Sequence, residues 1–390
     1  MSSLATDRAR ILDIDTEILQ LDPLERRVTV ARLRLEPEKD RVQQRLESYV
    51  CPVLSLPNEI VSEIFIQFLP VYPNRPPLTG LRSPTLLTHI CSKWRHIALA
   101  NPELWRALTL RLPSPYDVNA ISRRFHLAET WLLRTGCCPL SVEIDEWNAH
   151  LTQEQSQYSF MASRRERWEH LEIKAMRVNL ALFDGSLPLL RHLRLKLSLA
   201  SANITLHGAP LLRSVALTGF ASSCVTLPWT QLTSLALESV FPADCMRLLR
   251  KTPNLLDCKL VIFDKLSIGP YTAQDIGGQT PVLLPHLHSL ALNGTGTVTG
   301  FQFRENSIMS YLILPSLSRL EALDRAVGKY PPSVLSSFIS KSACTLKELC
   351  ITYDDNLVIE LSEYRLAFPS IPELTSRPRS AKRDDSNDED

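Results

Sequence analysis

A leucine pattern of the form Leu-x-x-Leu-x-Leu recurs along this chain and limits most strongly how it can fold. Alternate side chains of an extended strand point to opposite faces, so the last two leucines of each copy share one face. Successive copies can therefore stack as parallel strands whose leucines form one continuous core. The clearest copies are Leu190, Leu193 and Leu195; Leu212, Val215 and Leu217; Leu232, Leu235 and Leu237; and Leu287, Leu290 and Leu292.

Looser copies extend the pattern in both directions. They begin at Trp168, Leu255, Leu317 and Leu346, and residues 105–110 and 139–144 supply two further candidate strands. The starts from 168 to 255 are separated by 22, 22, 20 and 23 residues, and the later ones by 32, 30 and 29. This spacing is typical of leucine-rich repeats, although few copies have the asparagine that follows the last leucine. We therefore predict an irregular leucine-rich-repeat α/β solenoid with a parallel sheet over residues 108–366, with helices near 118–134 and 153–167.

The residues between the leucines are expected to line the concave face of this solenoid. Those of the early copies are basic and include Lys174, His192, Arg194 and Lys196, whereas the middle copies have small residues and the late ones are mixed to acidic. One hypothesis is that an acidic segment of a partner protein binds at these four substrate-facing positions. The alternative is that they are ordinary solvated strand positions.

Two amphipathic helices are predicted between residues 53 and 110. The first begins at Pro57, whose missing N–H suits the first helical position, and its apolar residues recur at helical spacing until Pro70 ends it. The second runs through residues 86–98 and stops before Asn101-Pro102. Neither can bury its apolar face alone, so the two should pack together with a short third element between them. The apolar residues are Ile60, Val61, Ile64, Phe65, Phe68 and Leu69 in the first helix and Leu86, Leu87, Ile90, Trp94, Ile97 and Ala98 in the second.

These two segments resemble an F-box. The resemblance covers roughly 50 of the 390 residues and rests on Leu56-Pro57-x-Glu59-Ile60, Ile64-Phe65, Ile90-Cys91-x-x-Trp94-Arg95-x-Ile97-Ala98 and Pro102-x-Leu104-Trp105. It implies a three-helix module that docks on the Skp adaptor of a cullin–RING ubiquitin ligase. One departure is the proline-rich connection (residues 72–85), which is longer than the usual F-box loop and leaves the middle helix uncertain.

The resemblance also assigns roles to individual residues. It implies adaptor contacts for Leu56, Pro57, Ile60, Ile64 and Phe65. Trp94 and Trp105 are expected instead to hold the module together and join it to the first strand. Because residues 105–110 also match the leucine pattern, the module should cap the N-terminal end of the solenoid and be rigidly coupled to it.

Residues 7–50 are predicted to form a charged helix. Steps of four and three from Ile14 trace a coiled-coil seam that is largely apolar, but three of its positions are charged. Pro23 and Pro37 should interrupt the helix, which makes a long continuous coiled coil doubtful. A helix that dimerises or binds a partner and a helix that leans on its own F-box both remain open. Similar charged helices precede the F-box in fungal F-box proteins.

Composition excludes several other functions. The net charge of +1 gives no field that would attract nucleic acid or a membrane surface. The nine cysteines are scattered and indicate reduced thiols, and neither a signal sequence nor a membrane span is evident, so a cytoplasmic or nuclear location is expected. We find no catalytic, cofactor-binding or metal-binding motif: His286-x-His288 lacks further ligands, and the glycine-rich residues 294–300 suit a loop.

The sequence therefore predicts an α+β multidomain protein. Its parts are a charged helix with a possible short coiled coil (1–50), an F-box domain (51–107), the solenoid (108–366) and a disordered tail (367–390). The resemblance implies a non-catalytic substrate-recognition subunit of an SCF-type ligase, with a Skp-family adaptor, through it a cullin, and an unknown protein substrate as partners. The alternative is a leucine-rich-repeat interaction scaffold outside any ligase.

Overall fold

The structure is a computed structural model in which the chain forms two compact units, Met1–Val61 and Ser62–Asp390. The boundary between them falls inside the predicted 51–107 domain. The structure describes residues 2–48, 52–113, 117–146, 158–176, 185–198, 203–206, 208–263, 280–294, 307–328, 330–353 and 359–378.

The described residues form helices, strands and short 3-10 turns. The helices are α1 (Ser2–Ser48), α2 (Asn58–Phe68), α3 (Pro84–Ile90), α4 (Ser92–Ala100), α5 (Val118–Leu133), α6 (Ser159–Ala162), α7 (Ala221–Cys224), α8 (Pro242–Leu249), α9 (Asp324–Val327), α10 (Pro331–Ser342) and α11 (Leu361–Ala367). The 3-10 turns are Pro52–Ser55, Pro102–Trp105, Arg165–Arg167, Trp229–Gln231 and Ile308–Tyr311.

The strands alternate with these helices over the second unit. They are β1 (Ala107–Arg111), β2 (Leu140–Glu146), β3 (Trp168–Ala175), β4 (His192–Leu197), β5 (Ile204–Thr205), β6 (Ser214–Gly219), β7 (Val225–Thr226), β8 (Ser234–Val240), β9 (Asp257–Ile262), β10 (Val282–Leu283), β11 (Ser289–Gly294), β12 (Leu312–Ile313), β13 (Arg319–Leu323), β14 (Glu348–Tyr353) and β15 (Glu373–Pro378).

The N-terminal helix differs from the sequence prediction in being continuous. α1 passes through both Pro23 and Pro37 without a break. A proline removes one intrahelical hydrogen bond but leaves its neighbours in place, so a long helix can continue through it at some cost in stability. The predicted interruption was therefore wrong.

The second predicted helix of the F-box-like segment is in fact two helices. α3 ends at Ile90 and α4 begins at Ser92, because Cys91 is extended with φ −155° and ψ 169°. The Cys91 thiol accepts a hydrogen bond from the Trp94 N–H, which caps the first turn of α4. The third short element is therefore α3, which begins at Pro84 near the end of the proline-rich connection and ends at this break.

Eleven strands form one parallel sheet, which confirms the predicted parallel arrangement. The order across the sheet follows the chain: β1, β2, β3, β4, β6, β8, β9, β11, β13, β14 and β15. Neighbouring strands are paired in register, so that Leu195 lies beside Leu217 and Leu217 beside Leu237. Every leucine copy and both further candidate strands found in the sequence contribute a strand to this sheet.

The aliphatic side chains of this sheet form two buried columns on one face. One column contains Leu171, Leu193, Val215, Leu235, Cys258, Leu290, Leu320 and Leu349, and the other contains Ile173, Leu195, Leu217, Leu237, Leu260, Leu292, Ala322 and Ile351. Nearly all of them expose less than 5% of their surface. Burying each large aliphatic side chain contributes roughly 1.5–3 kcal/mol before entropy is counted.

The C-terminal boundary of the fold also differs from the prediction. Residues from 367 onward were predicted to be disordered, but β15 (Glu373–Pro378) pairs in parallel with β14. The helix before it is anchored by Tyr364, which is fully buried and donates a 2.5 Å hydrogen bond to the buried carboxylate of Asp324. The strand has few apolar residues, so its sequence lacks the leucine pattern and its pairing comes from backbone hydrogen bonds.

Some predictions fall partly outside the described residues. The tail beyond residue 378, most of the 294–300 loop and the start of the predicted 153–167 helix belong to that group. The remainder of the 153–167 segment contains α6 and a 3-10 turn, whereas α5 matches the helix predicted at 118–134. Among the described helices, none combines the length and apolar character needed to cross a bilayer.

Candidate functional site

The candidate substrate-facing residues lie on the face of the main sheet opposite the aliphatic columns. We call this the polar face; on β2, β3 and β4 it comprises Ser141, Glu143, Asp145, His170, Glu172, Lys174, His192, Arg194 and Lys196. The register places Lys174 beside Lys196 and His170 beside His192. The four predicted residues are thus close together, with Lys174 half-buried and the other three exposed.

Carboxylates of the neighbouring strands surround the Lys174 ammonium group. Its Nζ lies 2.5 Å from Glu143 Oε1 and 3.3 Å from Glu172 Oε1. Burial alone would lower the pKa of Lys174, but the hydrogen bond and charge of Glu143 raise it above its ordinary value. Lys174 is therefore charged, yet most of its charge is compensated within the sheet and is not offered to a partner.

A second cation reaches the same carboxylates from the proline-rich connection. Arg75 Nη1 lies 3.0 Å from a Glu172 oxygen and 3.4 Å from a Glu143 oxygen. The three side chains are only 12–16% exposed, so their attraction is screened less than that of a surface pair. Two basic and two acidic groups, Arg75, Lys174, Glu143 and Glu172, form what we call the buried charge cluster.

The pKa of Glu143 reflects this cluster. Burial would raise the pKa of its carboxyl group, because a buried charge is poorly solvated. The hydrogen bond from Lys174 and the positive charges of Lys174 and Arg75 outweigh burial and hold this pKa below its ordinary value. Thr109 also donates a hydrogen bond to Glu143. Glu143 therefore remains ionised near neutral pH.

Further contacts hold the proline-rich connection against the first strands. Ser141 Oγ donates a 2.7 Å hydrogen bond to the Pro73 carbonyl oxygen, and Tyr72 donates one of 2.9 Å to Glu169. The guanidinium of Arg106 lies 4.2 Å from the centre of the Tyr72 ring. Burial and the bond to Glu169 raise the pKa of Tyr72, so its hydroxyl stays protonated as a donor. The connection thus occupies part of the polar face of β2 and β3.

From the sequence, the proline-rich connection was predicted only as a long loop, without any contact to the sheet. One sequence feature that could have indicated this contact is Arg75, a cation that lies between prolines at 73, 76 and 77. Glutamates at polar-face positions on two adjacent predicted strands were a second signal. Nothing in the sequence joins the two, because Arg75 and Glu172 are 97 residues apart.

The two histidines on β3 and β4 form a stacked pair. Their ring centroids are 4.3 Å apart with an interplanar angle of 5°, and the Tyr72 ring packs edge-on against His170 at 5.5 Å. Burial, followed by the nearby His192, lowers the pKa of His170 to about 4. Burial likewise lowers the pKa of His192. Both rings are therefore neutral at pH 7, and His192 adds no positive charge to the candidate surface.

We expect nuclear magnetic resonance titration to give a pKa of about 4 for His170, against about 6.5 for an unperturbed histidine. Because the unfolded chain binds this proton at higher pH than the folded chain, His170 should make stability fall progressively as the pH is lowered from about 6.5 to 4. The substitution His192→Ala should raise the pKa of His170 by exposing its ring and removing a like charge.

The matched control for this titration is Ser214→Ala, on the opposite side of His192 in the sheet. It should leave the His170 titration unchanged. A midpoint near 6.5 for His170 in the unmodified protein would contradict the packing described above.

The predicted adaptor contacts in the first unit differ in exposure. Leu56 is half-buried, Pro57 is exposed, and Ile60 exposes 50% of its surface. Pro57 directly precedes α2 and its carbonyl oxygen accepts the first helical hydrogen bond, from Val61. The helix therefore begins where the sequence analysis placed it, to within one residue.

The two predicted contacts in the second unit point in different directions. Ile64 is 47% exposed, whereas Phe65 is 1% exposed and packs edge-on against Trp94 with ring centroids 5.0 Å apart. Phe65 is thus a packing residue in this conformation and is not accessible to a partner. Phe68, one turn after Ile64 on the same helix, is 39% exposed and was not among the predicted contacts.

Trp105 joins the short helices to the sheet, as expected of it. Its indole is fully buried and donates a 2.9 Å hydrogen bond to the Ala98 carbonyl oxygen in α4. Trp131 of α5 donates to the Trp105 carbonyl oxygen, and the two indoles pack edge-on at 5.1 Å. Within the second unit, Trp105 therefore connects α4 and α5 at the start of the first strand.

A metal-binding arrangement does not appear among the described residues. They contain no group of three or more histidine, cysteine or acidic side chains placed to hold a metal ion. The eight cysteines in this part of the chain are all free thiols.

Comparison with other proteins adds no relative to this description. No known protein family matches the chain, and no curated protein matches it. The function of this chain must therefore be inferred from its own sequence and geometry.

Proposed function

We propose that this chain is the substrate-recognition subunit of an SCF-type cullin–RING ubiquitin ligase. In this proposal residues 51–107 act as an F-box that docks on a Skp-family adaptor, and the following strands form a leucine-rich-repeat solenoid that binds the target protein. The chain itself makes or breaks no bond. It raises the effective concentration of the target near the ubiquitin-transferring machinery.

The observation that carries the proposal is the exposed apolar surface of α2. Ile64 and Phe68 stand one turn apart and remain largely exposed, while Phe65 between them is packed against Trp94. Ile60 of the first unit is likewise exposed. Large apolar side chains that remain exposed one turn apart on a helix favour docking against another protein. Ile60 and Ile64 are among the positions that the F-box resemblance assigns to the adaptor, whereas Phe68 is not.

The order of the sheet supports the second half of the proposal. Strands that follow one another in the chain are neighbours in the sheet, separated by connections of variable length, as repeated units of a solenoid would be. Such arrays present an extended surface of alternate strand residues to a partner. The polar face offers such a surface, with small residues at Ala216, Ala236 and Ala291 in its middle.

The geometry also narrows the proposed target surface. The proline-rich connection occupies part of β2 and β3, and the buried charge cluster compensates Lys174. Of the four predicted residues, Arg194 and Lys196 on β4 are exposed, and Arg194 Nε lies 3.8 Å from a Glu172 oxygen, farther than either cation of the buried charge cluster. The hypothesis of an acidic partner segment therefore now rests on these two residues and on the strands that follow them.

Co-purification with the adaptor tests the docking role. A chain carrying Leu56→Ala and Pro57→Ala, and separately a chain carrying Ile64→Asp, should each lose recovery of a purified Skp-family adaptor, by at least about tenfold. A carboxylate at Ile64 would have to be desolvated in an apolar interface. The measurement is the amount of adaptor retained on the immobilised full-length chain.

The control variant is Leu366→Asp, an equally apolar-to-charged change at a residue of α11 that is 82% exposed. It should retain the adaptor fully, and circular dichroism should show that all variants keep their helix and strand content. Failure of the unmodified chain to bind any Skp-family adaptor would reject the ligase role and favour the interaction scaffold. Undiminished binding by Ile64→Asp would reject the α2 surface as the docking site.

A further inference from the structure

The long helix α1 has an apolar seam whose described side chains are exposed. Every described side chain from residue 9 to residue 44 is exposed. The exposed seam residues are Ile11, Ile14, Ile18, Val28, Leu35 and Val42, with 42–61% of their surface accessible. An isolated helix derives little stability from propensity alone, and exposed apolar residues in a row favour association. Packing of a second helix against the seam would bury these apolar side chains.

The spacing of these residues is that of a coiled coil. Starting at Ile14, every seventh position is apolar, and Val28, Leu35 and Val42 continue this set. The set that starts at Ile11 is apolar at Ile18 but charged at its next three positions. Pro23 and Pro37 are two heptads apart, and their positions in the heptad lie opposite the seam. Because α1 is continuous through both, the spacing of the seam is not interrupted.

We propose that α1 pairs with α1 of a second copy of this chain in an antiparallel two-stranded coiled coil. The distribution of charge along α1 favours the antiparallel orientation. Residues 2–24 contain five acidic and two basic side chains, whereas residues 25–48 contain five acidic and seven basic ones. An antiparallel pair places each acidic half beside a basic half, whereas a parallel pair places like halves together. The helix is thus complementary to itself only in the antiparallel orientation.

The charged seam positions also favour the antiparallel orientation; they are Glu25, Arg32 and Lys39. In a parallel pair in register, each would face its own copy, which puts like charges together in three layers spaced one heptad apart. In the antiparallel register with the greatest overlap, Glu25 faces Val28 of the second copy, and Lys39 faces Ile14 of the second copy. Their long side chains can cover the apolar neighbour while the charged ends reach water. The inference is independent of the proposed ligase function.

The test compares two double variants with the same kinds of substitution. Val28→Glu with Leu35→Glu places charges on the seam, whereas Val30→Glu with Leu33→Glu places them elsewhere on the helix. All four residues are exposed to a similar degree, 59–65%. Light scattering of the full chain should show a dimer that the seam variant weakens by at least about 100-fold, with less than about threefold change in the control.

Orientation is tested by disulfide cross-linking. Copies with Ile11→Cys are mixed with copies carrying Val42→Cys and oxidised, and cross-linked peptides are identified by mass spectrometry. The antiparallel pair predicts cross-links between positions 11 and 42 of different copies. A full chain that stays monomeric at about 100 μM, a dimer insensitive to the seam variant, or cross-links joining position 11 to position 11 would each overturn the proposal.

Discussion

Replacing Arg75 with methionine should lower the free energy of unfolding by about 2–4 kcal/mol. The variant keeps the apolar stem but leaves Glu143 and Glu172, each less than 17% exposed, with Lys174 and the more distant Arg194 as cations. Removing one partner from a fully buried pair costs about 3–5 kcal/mol because the other charge stays desolvated. Partial exposure and the remaining lysine reduce that cost here. Denaturant unfolding followed by circular dichroism measures the difference.

Two further variants show whether this loss comes from charge. Arg111→Met removes a cation from a pair with Asp145 in which the arginine side chain is 62% and the aspartate 17% exposed. Because the arginine end of this pair lies in water, the change should cost less than about 1 kcal/mol. Adding Glu143→Gln and Glu172→Gln to Arg75→Met should restore most of the lost stability, because no buried carboxylate is then unpaired. If Arg75→Met costs no more than Arg111→Met, the buried charge cluster does not hold the connection in place.

The loss should also depend on pH in a definite direction. The pKa of Glu143 is lowered in the folded protein, so the cluster contributes stability above the unfolded value of about 4.3. That contribution disappears as the pH falls through the lower folded value, because the carboxyl group becomes neutral in both states. The difference between the unmodified protein and Arg75→Met should therefore shrink below about pH 4.

Replacing Trp105 with alanine should cost about 3–5 kcal/mol, the range for truncating a large buried aromatic residue. The indole is fully buried, packs against Trp131 and carries the Arg134 guanidinium 4.4 Å from its ring centre. Because the same residue bonds to α4 and accepts a bond from α5, its loss should loosen all three elements together. Hydrogen exchange measured over these elements, alongside denaturant unfolding, would show this.

A matched pair of phenylalanine variants separates the hydrogen bond from the packing. Trp105→Phe loses the satisfied bond to the Ala98 carbonyl and should cost about 1–3 kcal/mol. Trp94→Phe removes an indole N–H that is buried without a hydrogen-bond partner among the described residues, so its cost should be smaller. Equal losses in the two variants would contradict the role of the Trp105 hydrogen bond.

The parallel sheet could be predicted in detail because its determinants are local and repeated. Leu193 and Leu195 identify a strand and its buried face within six residues, and the recurrence of the pattern sets the neighbours of that strand. The last strand, β15, was missed because Leu374 is its only large apolar residue, so pairing with β14 depends on backbone bonds that have no sequence pattern.

Helix limits were predictable only where a strong local signal exists. Pro57 and Asn101-Pro102 correctly marked the two outer ends of the α2–α4 segment. The break at Cys91 escaped prediction because an apolar stripe continues through it, and a cysteine is a rare helix cap. At Pro23 and Pro37 the error was the reverse: a helix break was predicted, but α1 continues through both residues.

The sequence by itself determined which side chains of β3 and β4 are buried and which face outward, because strand alternation depends only on the order of residues. It also placed Lys174, His192, Arg194 and Lys196 together on one face. Only the tertiary structure decided what these groups can offer a partner. Arg75, Glu143 and Glu172 meet through contacts that span 68 to 97 residues, and burial beside a neighbouring strand keeps the histidines neutral. Net charge at a site is a property of all the groups that surround it, and that arrangement exists only in the folded chain.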